Sequence, residues 1–282
     1  MKNAILVPID FSENSLTALR YAAQLALRHS WRVHILHTYT VVSSNRISAI
    51  EKSRLQDSLI ETNKQKMAQV ENNVRERYPS LSFTSACMAG NLRKTVVKLL
   101  EADSYAFIVM GTKGAGKIKG TLLGSNTFEL IKASPIGVLA IPSDTPVFRL
   151  EKLGLLTNFK ETEWQLLEAI TKRITGNLEL ALLHVTERDE SPKKEDVEFW
   201  EAEISRRYPL ESIEYVEYNA VYRLDYHMPI PKCIDWMVQA KNVDLLLVSY
   251  NRKSFFEHVF SRSLTKALAH NLRVPTFFRN VE

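Results

Sequence analysis

Short unbroken apolar runs alternate along the chain with longer segments whose apolar residues recur every three or four positions. AILVPI, near the start, has the length and continuity of a buried strand. Ser12 or Asn14 can cap the helix that follows, whose apolar face is Leu16, Leu19, Ala23 and Leu27. WRVHILHTY predicts a second strand. Ile47, Ile50, Leu55, Leu59, Met67, Val70 and Val74 then mark the apolar face of a long helix. SFTSACMA predicts a third strand, and Gly90 turns it into a helix carrying Leu92, Val96 and Leu99. AFIVM is the fourth strand; a glycine-rich stretch follows, then a helix from about Ser125 to Ala133, then GVLAIP as the fifth. Strands that are apolar throughout and separated by helices predict a parallel sheet covered on both faces. In such sheets ligands sit beyond the carboxyl ends of the strands, where the strand order reverses. Asp10 ends the first strand and Gly111 follows the fourth, so both fall on that edge.

The same pattern is written twice. ILHTYT at Ile35 is answered by LLHVTE at Leu182, and RYP at Arg77 by RYP at Arg207. SYAFIVMGTKG is answered by NVDLLLVSYNR, and NAILVPIDFSEN by KLGLLTNFKETE, all in the same order. Four matches in order argue for a duplicated domain, with an insertion in the first copy around 41–65. The polar segment SDTPVFRLE makes the join, dividing the chain into domains 1–145 and 146–282.

Composition narrows the function classes. The 282 residues are 45% hydrophobic and 24% charged, the balance of a globular chain with a core to bury. The N-terminal apolar run ends at Asp10, too soon for a signal peptide, and no run approaches the roughly 18 residues of a membrane span. Two distant cysteines, Cys87 and Cys233, in core-like patterns suggest free thiols in a reducing, cytoplasmic setting. Residues 1–145 hold 18 Lys and Arg against 11 Asp and Glu; residues 146–282 hold 19 against 21. A basic first half suits an anionic ligand as well as it suits unequal surface drift. Basic residues are not interleaved with aromatics, which argues against a nucleic-acid partner.

VMGTKGAGKIKGTLLGSNT, Val109 to Thr127, carries the candidate chemistry. Its GxxxxGK resembles a Walker loop, but Ile118 stands where a Ser or Thr must hold Mg²⁺, and Gly120 and Gly124 break the helix that should begin at Lys117. The alternative spacing is Gly-x2-Gly-x9-Gly-Ser, from Gly111, Gly114, Gly124 and Ser125. Glycines at the strand end admit a ligand to the backbone. Gly124 and Ser125 open a helix whose free N–H groups favour phosphate.

This spacing after IVM, with VPIDFSENS before it and SPIGVLAIP after it, resembles the ATP-binding universal stress protein family, as a tandem of two such domains. The resemblance implies an α/β fold of two doubly wound domains. Each would be a five-stranded parallel sheet of order 3-2-1-4-5 with helices on both faces. It implies ATP, alone or with Mg²⁺, across the carboxyl edge between the first and fourth strands. Asp10 would contact adenine and ribose with Pro8 and Ile9 beside it, and Thr38 would border the adenine. Met110 and Gly111 would lie near the ribose, and Gly114, Gly124, Ser125 and Asn126 would bind phosphate. The halves would pair through their last strands, GVLAIP and PTFFRN, and a further pairing of whole chains would give a homodimer.

The second copy departs from that motif. Asn158 stands for Asp10, Ser249 and Arg252 for Gly111 and Gly114, and Arg262 for Gly124, with Ser263 retained. One ATP or related adenine nucleotide per chain, in the first domain, is the resulting expectation. The function expected is a stress-response sensor or interaction module. A slow ATPase or phosphotransfer enzyme and a scaffold that binds no nucleotide are the alternatives. No catalytic or metal-ligating set is expected: His37 and His184 read as packing histidines, and Glu161, Glu163 and Glu168 as a solvated helix face.

Overall fold

The computed structural model describes residues 4–40, 48–112, 124–145, 148–186, 191–220, 228–250 and 273–281. The first half runs β1 (Ala4–Ile9), α1 (Glu13–His29), β2 (Arg32–Tyr39), α2 (Ala49–Arg77), β3 (Phe83–Ala89), α3 (Leu92–Ala102), β4 (Phe107–Gly111), α4 (Ser125–Ala133) and β5 (Val138–Ile141). The second runs β6 (Lys152–Leu156), a short 3-10 turn (Glu161–Glu163), α5 (Trp164–Thr171), β7 (Glu179–Thr186), α6 (Lys194–Arg207), β8 (Ser212–Asn219), α7 (Ile230–Ala240), β9 (Leu245–Tyr250) and β10 (Thr276–Asn280).

All ten strands form one sheet, ordered β3-β2-β1-β4-β5-β10-β9-β6-β7-β8. Within each half the pairing is parallel and the order is 3-2-1-4-5. The halves join at β5 and β10, whose antiparallel pairs are Thr276↔Ala140, Phe277↔Leu139 and Phe278↔Val138. The pleat sends Phe277 to one face and Phe278 to the other, both almost wholly buried. A Cβ on Gly137 would lie 1.9 Å from the Phe277 ring, so the missing side chain makes room for that ring. Phe107 meets it edge-on, with centroids 5.6 Å apart.

Helices cover both faces. α1, α2, α5 and α6 share one core cluster with the sheet; α3, α4 and α7 share the other. The apolar stripe read along α2 is only partly covered. Met67, Val70 and Val74 are buried, whereas Ile50 is 68% exposed and Leu55 50% exposed; Ile47 lies outside the described residues. The reason is length: α2 has 29 residues and α6 has 14. Because both helices end at the matching RYP, the extra turns stand at the amino end of α2, where the sheet no longer lies beneath them. Ser48 and Glu51 close a reciprocal capping box at that end, which satisfies its first N–H groups without tertiary help.

Candidate site at the carboxyl edge of the first half

β1 lies between β2 and β4, and the chain leaves it in opposite directions at that point. β1 stays registered with β2 up to Ile9↔His37, but its pairs with β4 end at Leu6↔Ile108. Pro8, in the last third of β1, has no N–H to donate to a ladder. The sheet therefore opens between β1 and β4 at its carboxyl edge, the position where doubly wound sheets take ligands.

The expected residues come together along this edge. Pro8 and Ile9 end β1 and Asp10 follows it; Thr38 is the penultimate residue of β2; Met110 and Gly111 end β4; Gly124 caps α4, and Ser125 and Asn126 begin it. Gly114, with Lys113, Lys117 and Lys119, lies outside the described residues. The side chains of Ile9 and Met110 are buried in opposite face cores, so these residues offer an edge ligand backbone and wall. Asp10 is half-buried, and its Oδ1 accepts from Ser12 N at 3.0 Å and from Ser12 Oγ at 2.5 Å. That turn puts Phe11 at φ 62° and leaves Ser12 as the cap of α1, accepting from Ser15 N. Of the two cap candidates in the sequence, Ser12 takes the role.

Asn14 does something else. A Cβ on Gly111 would lie 2.8 Å from Asn14 Oδ1 and 2.9 Å from the Asn14 carbonyl oxygen. Close approach of α1 thus already requires glycine at 111, a packing reason beside the ligand-access reason read from the sequence. Asn14 Nδ2 donates to the Ile141 carbonyl at 3.1 Å, and the same carbonyl accepts from Thr112 N at 3.0 Å. Thr127 Oγ1 donates to the Gly111 carbonyl at 2.9 Å. Gly124 N donates to the Thr112 carbonyl at 2.5 Å, which joins the end of β4 to the start of α4. Asn14, Thr112 and Thr127 are all buried. They brace the edge, and glycine spacing alone does not reveal them. At the start of α4, Gly124 has no side chain to cap the helix, and Ser125 and Asn126 are exposed, so among the described residues no side-chain cap takes the first N–H groups, which can donate to an anion.

The second half repeats the frame with different chemistry. His37 Nδ1 donates to the Ile9 carbonyl at 2.9 Å, and His184 Nδ1 donates to the Thr157 carbonyl at 2.9 Å. Both histidines are packing groups that tie the second strand of a half to the end of its first. Phe159 repeats the left-handed backbone of Phe11, at φ 59°. Asp10 N donates to Ser15 Oγ at 3.4 Å; the matching Asn158 N donates to Glu163 Oε1 at 3.1 Å. Glu163 is 1% exposed and also accepts from Thr157 Oγ1 at 2.6 Å, so it is not part of a solvated face, as its place in the ETE run suggested. Burial outweighs these hydrogen bonds and the nearby Lys160 charge, and pushes its carboxyl up to about 7. Glu161 and Glu168 are exposed, as read.

Burial raises the thiols of Cys87, beside Glu71, and of Cys233, which disfavours the reactive thiolate in both. No cluster of metal-ligating side chains occurs among the described residues, and none of their helices is long and apolar enough to cross a membrane.

Comparison with known proteins agrees with this geometry. The model of the universal stress protein family matches residues 1–142. A universal stress protein of Methanocaldococcus jannaschii is 27% identical over 158 residues, covering 50% of this chain and 95% of its own length. A universal stress protein from Archaeoglobus fulgidus superposes over 99% of both chains with a TM-score of 0.66 at 21% identity. A protein of unknown function from Pseudomonas aeruginosa PAO1 does so over 99% of this chain and 92% of its own, with a TM-score of 0.58 at 14% identity. These two likenesses extend the fold across both halves. With the family model matching half of the chain, and the five-strand order occurring twice in one sheet, the chain belongs to the universal stress protein family.

Proposed function

We propose that domain 1–145 binds one ATP, alone or with Mg²⁺, across the opening between β1 and β4. Domain 146–282 serves as its structural partner, and the chain works in the cytoplasm as a nucleotide-dependent stress sensor or interaction module, as a homodimer where two chains meet. The reading rests chiefly on the edge formed by Asp10, the end of β4 and the start of α4 at Gly124, with β4 and α4 joined by the bond from Gly124 N to the Thr112 carbonyl. Asp10, with Pro8, Ile9 and Thr38 around it, would take the nucleoside end. Gly111 and Met110 would line the middle, and Gly114, Gly124, Ser125 and Asn126 the phosphates. The basic balance of the first half favours the same anion. Bound phosphate would order the approach to α4 and change the surface offered to a partner.

Calorimetric titration with ATP tests this. The wild-type chain should bind saturably, and Gly124→Arg should abolish binding without loss of fold. Gly124 has φ −63°, which any residue adopts, and arginine already stands at the corresponding position 262 of the second copy. Absence of binding to the wild type at millimolar ATP, or full binding by a folded Gly124→Arg chain, would overturn the proposal.

A further inference from the structure

The second half holds a cavity of about 630 Å³ between the ends of β6 and β7, the 3-10 turn and α6. In the first half a groove of about 260 Å³ between α1 and the carboxyl end of α2 shares only the counterparts of Trp164, Trp200 and Arg207, namely Leu16, Val70 and Arg77. The residues at the matching positions of the two halves differ in specific ways. Matching the strand ends and the two RYP segments puts Trp164 where Leu16 stands, Trp200 where Val70 stands and Asp196 where Lys66 stands. In the first half Lys66 lies 5.7 Å from the centre of the Phe11 ring, so a cation of the chain itself covers that aromatic. In the second half the cation is replaced by a carboxylate, and the aromatic surface is enlarged.

Three features set the chemistry of the cavity. The first is its wall: Trp164 and Trp200 stack with centroids 4.3 Å apart, and Phe199 lines the opening while 59% exposed. The second is its charge. Glu161 and Asp196 are exposed at the cavity, and neither has an ion-pair partner among the described residues. Arg207, the one cation among the described lining residues, is paired with Glu203 at 2.7 Å and lies over the Trp164 ring, so its charge is already engaged. The third is its floor. His184 spends its Nδ1 proton on the Thr157 carbonyl, so Nε2 is the ring nitrogen left to meet a ligand. An aromatic wall and two carboxylates without an ion-pair partner among the described residues favour a ligand with positive charge and an apolar body.

From these features we infer that this cavity is a binding site for a small organic cation, a protonated amine carrying an aromatic group. The ammonium lies between Glu161 and Asp196 and the aromatic body lies against Phe199. The site is separate from the proposed nucleotide site and does not depend on it.

Titration of the full chain with phenylethylamine, and with 3-phenylpropionate as its anionic counterpart, tests the inference. Phenylethylamine should bind saturably in a calorimeter and perturb tryptophan fluorescence; 3-phenylpropionate should do neither, and ATP should not compete. Asp196→Lys, which restores the residue of the first half, should weaken binding by at least about tenfold. Phe199→Ala should weaken it about threefold. Both side chains are exposed, so the melting temperatures of the variants should match that of the wild type. No saturable binding of phenylethylamine, equal binding of the anion, displacement by ATP, or an unchanged affinity in Asp196→Lys would each overturn the assignment.

Discussion

Glu163 shows how far one residue can depart from its neighbours in sequence. In ETEWQLLE it looks like a member of an acidic first turn, yet its carboxylate is drawn under the β6–α5 turn to hold Thr157 and the Asn158 N–H. Its pKa is about 7, above the ordinary 4.5, so between those values the folded chain holds a proton that the unfolded chain has released. The Glu163 contribution is fully present below about 4.5 and is lost as pH rises through about 7, by at most about 1.4 kcal/mol per pH unit. Glutamine can keep both contacts, its amide oxygen accepting from Asn158 N and its amide nitrogen donating to Thr157 Oγ1. Urea unfolding of wild type and Glu163→Gln across this range should show the variant gaining relative stability from about pH 5 to about pH 7 and nothing further above it. Parallel pH profiles would contradict the assignment. Asn14, Thr112 and Thr127 were equally hard to read in the sequence. Their partners are distant in the chain and become neighbours only because β1 and β4 lie side by side.

At the scale of elements, most of the fold was legible. Buried parallel strands read as unbroken apolar runs because both their faces are covered, and Ser12, Gly90 and Gly124 stand where helices and turns begin. The long helix was the exception. Its apolar periodicity runs from Ile47 to Val74, but periodicity reports a face and not what covers that face. The shorter α6 shows how much of such a helix the sheet can support. Val70→Ala, in the covered part, should cost about 1–2 kcal/mol. Leu55→Ser, in the protruding part, should change stability by less than about 0.5 kcal/mol. Denaturant midpoints at unchanged m-value measure both, and a comparable loss at Leu55 would mean that the amino end of α2 is packed after all.

For the whole molecule, the decisive contact is the seam. Three antiparallel pairs join two parallel sheets, and the Phe277 ring fills the space left by Gly137 while touching Phe107 of β4. Other contacts span the halves on the same face, including Arg28 Nη1 donating to the Leu150 carbonyl and Tyr21 meeting Phe148 edge-on. One core thus runs through both halves, and they should unfold together. Phe277→Ala should cost about 3–5 kcal/mol and split the single calorimetric transition into two, as each half loses its support from the other. A single transition merely shifted to lower temperature would show that the halves remain coupled without this ring. Tandem duplication would also account for the proposed division of labour. The frame is kept twice because each half completes the sheet of the other, while the edge chemistry is free to diverge. Glycines and Asp10 remain on one side; Asn158, Ser249 and a cavity lined by tryptophan and carboxylate stand on the other.

The most direct test of that division is the stoichiometry of nucleotide binding to the full chain, measured by calorimetric titration with ATP. One ATP per chain, lost in Gly124→Arg, is the predicted result. Two per chain, or one that survives in Gly124→Arg, would contradict it.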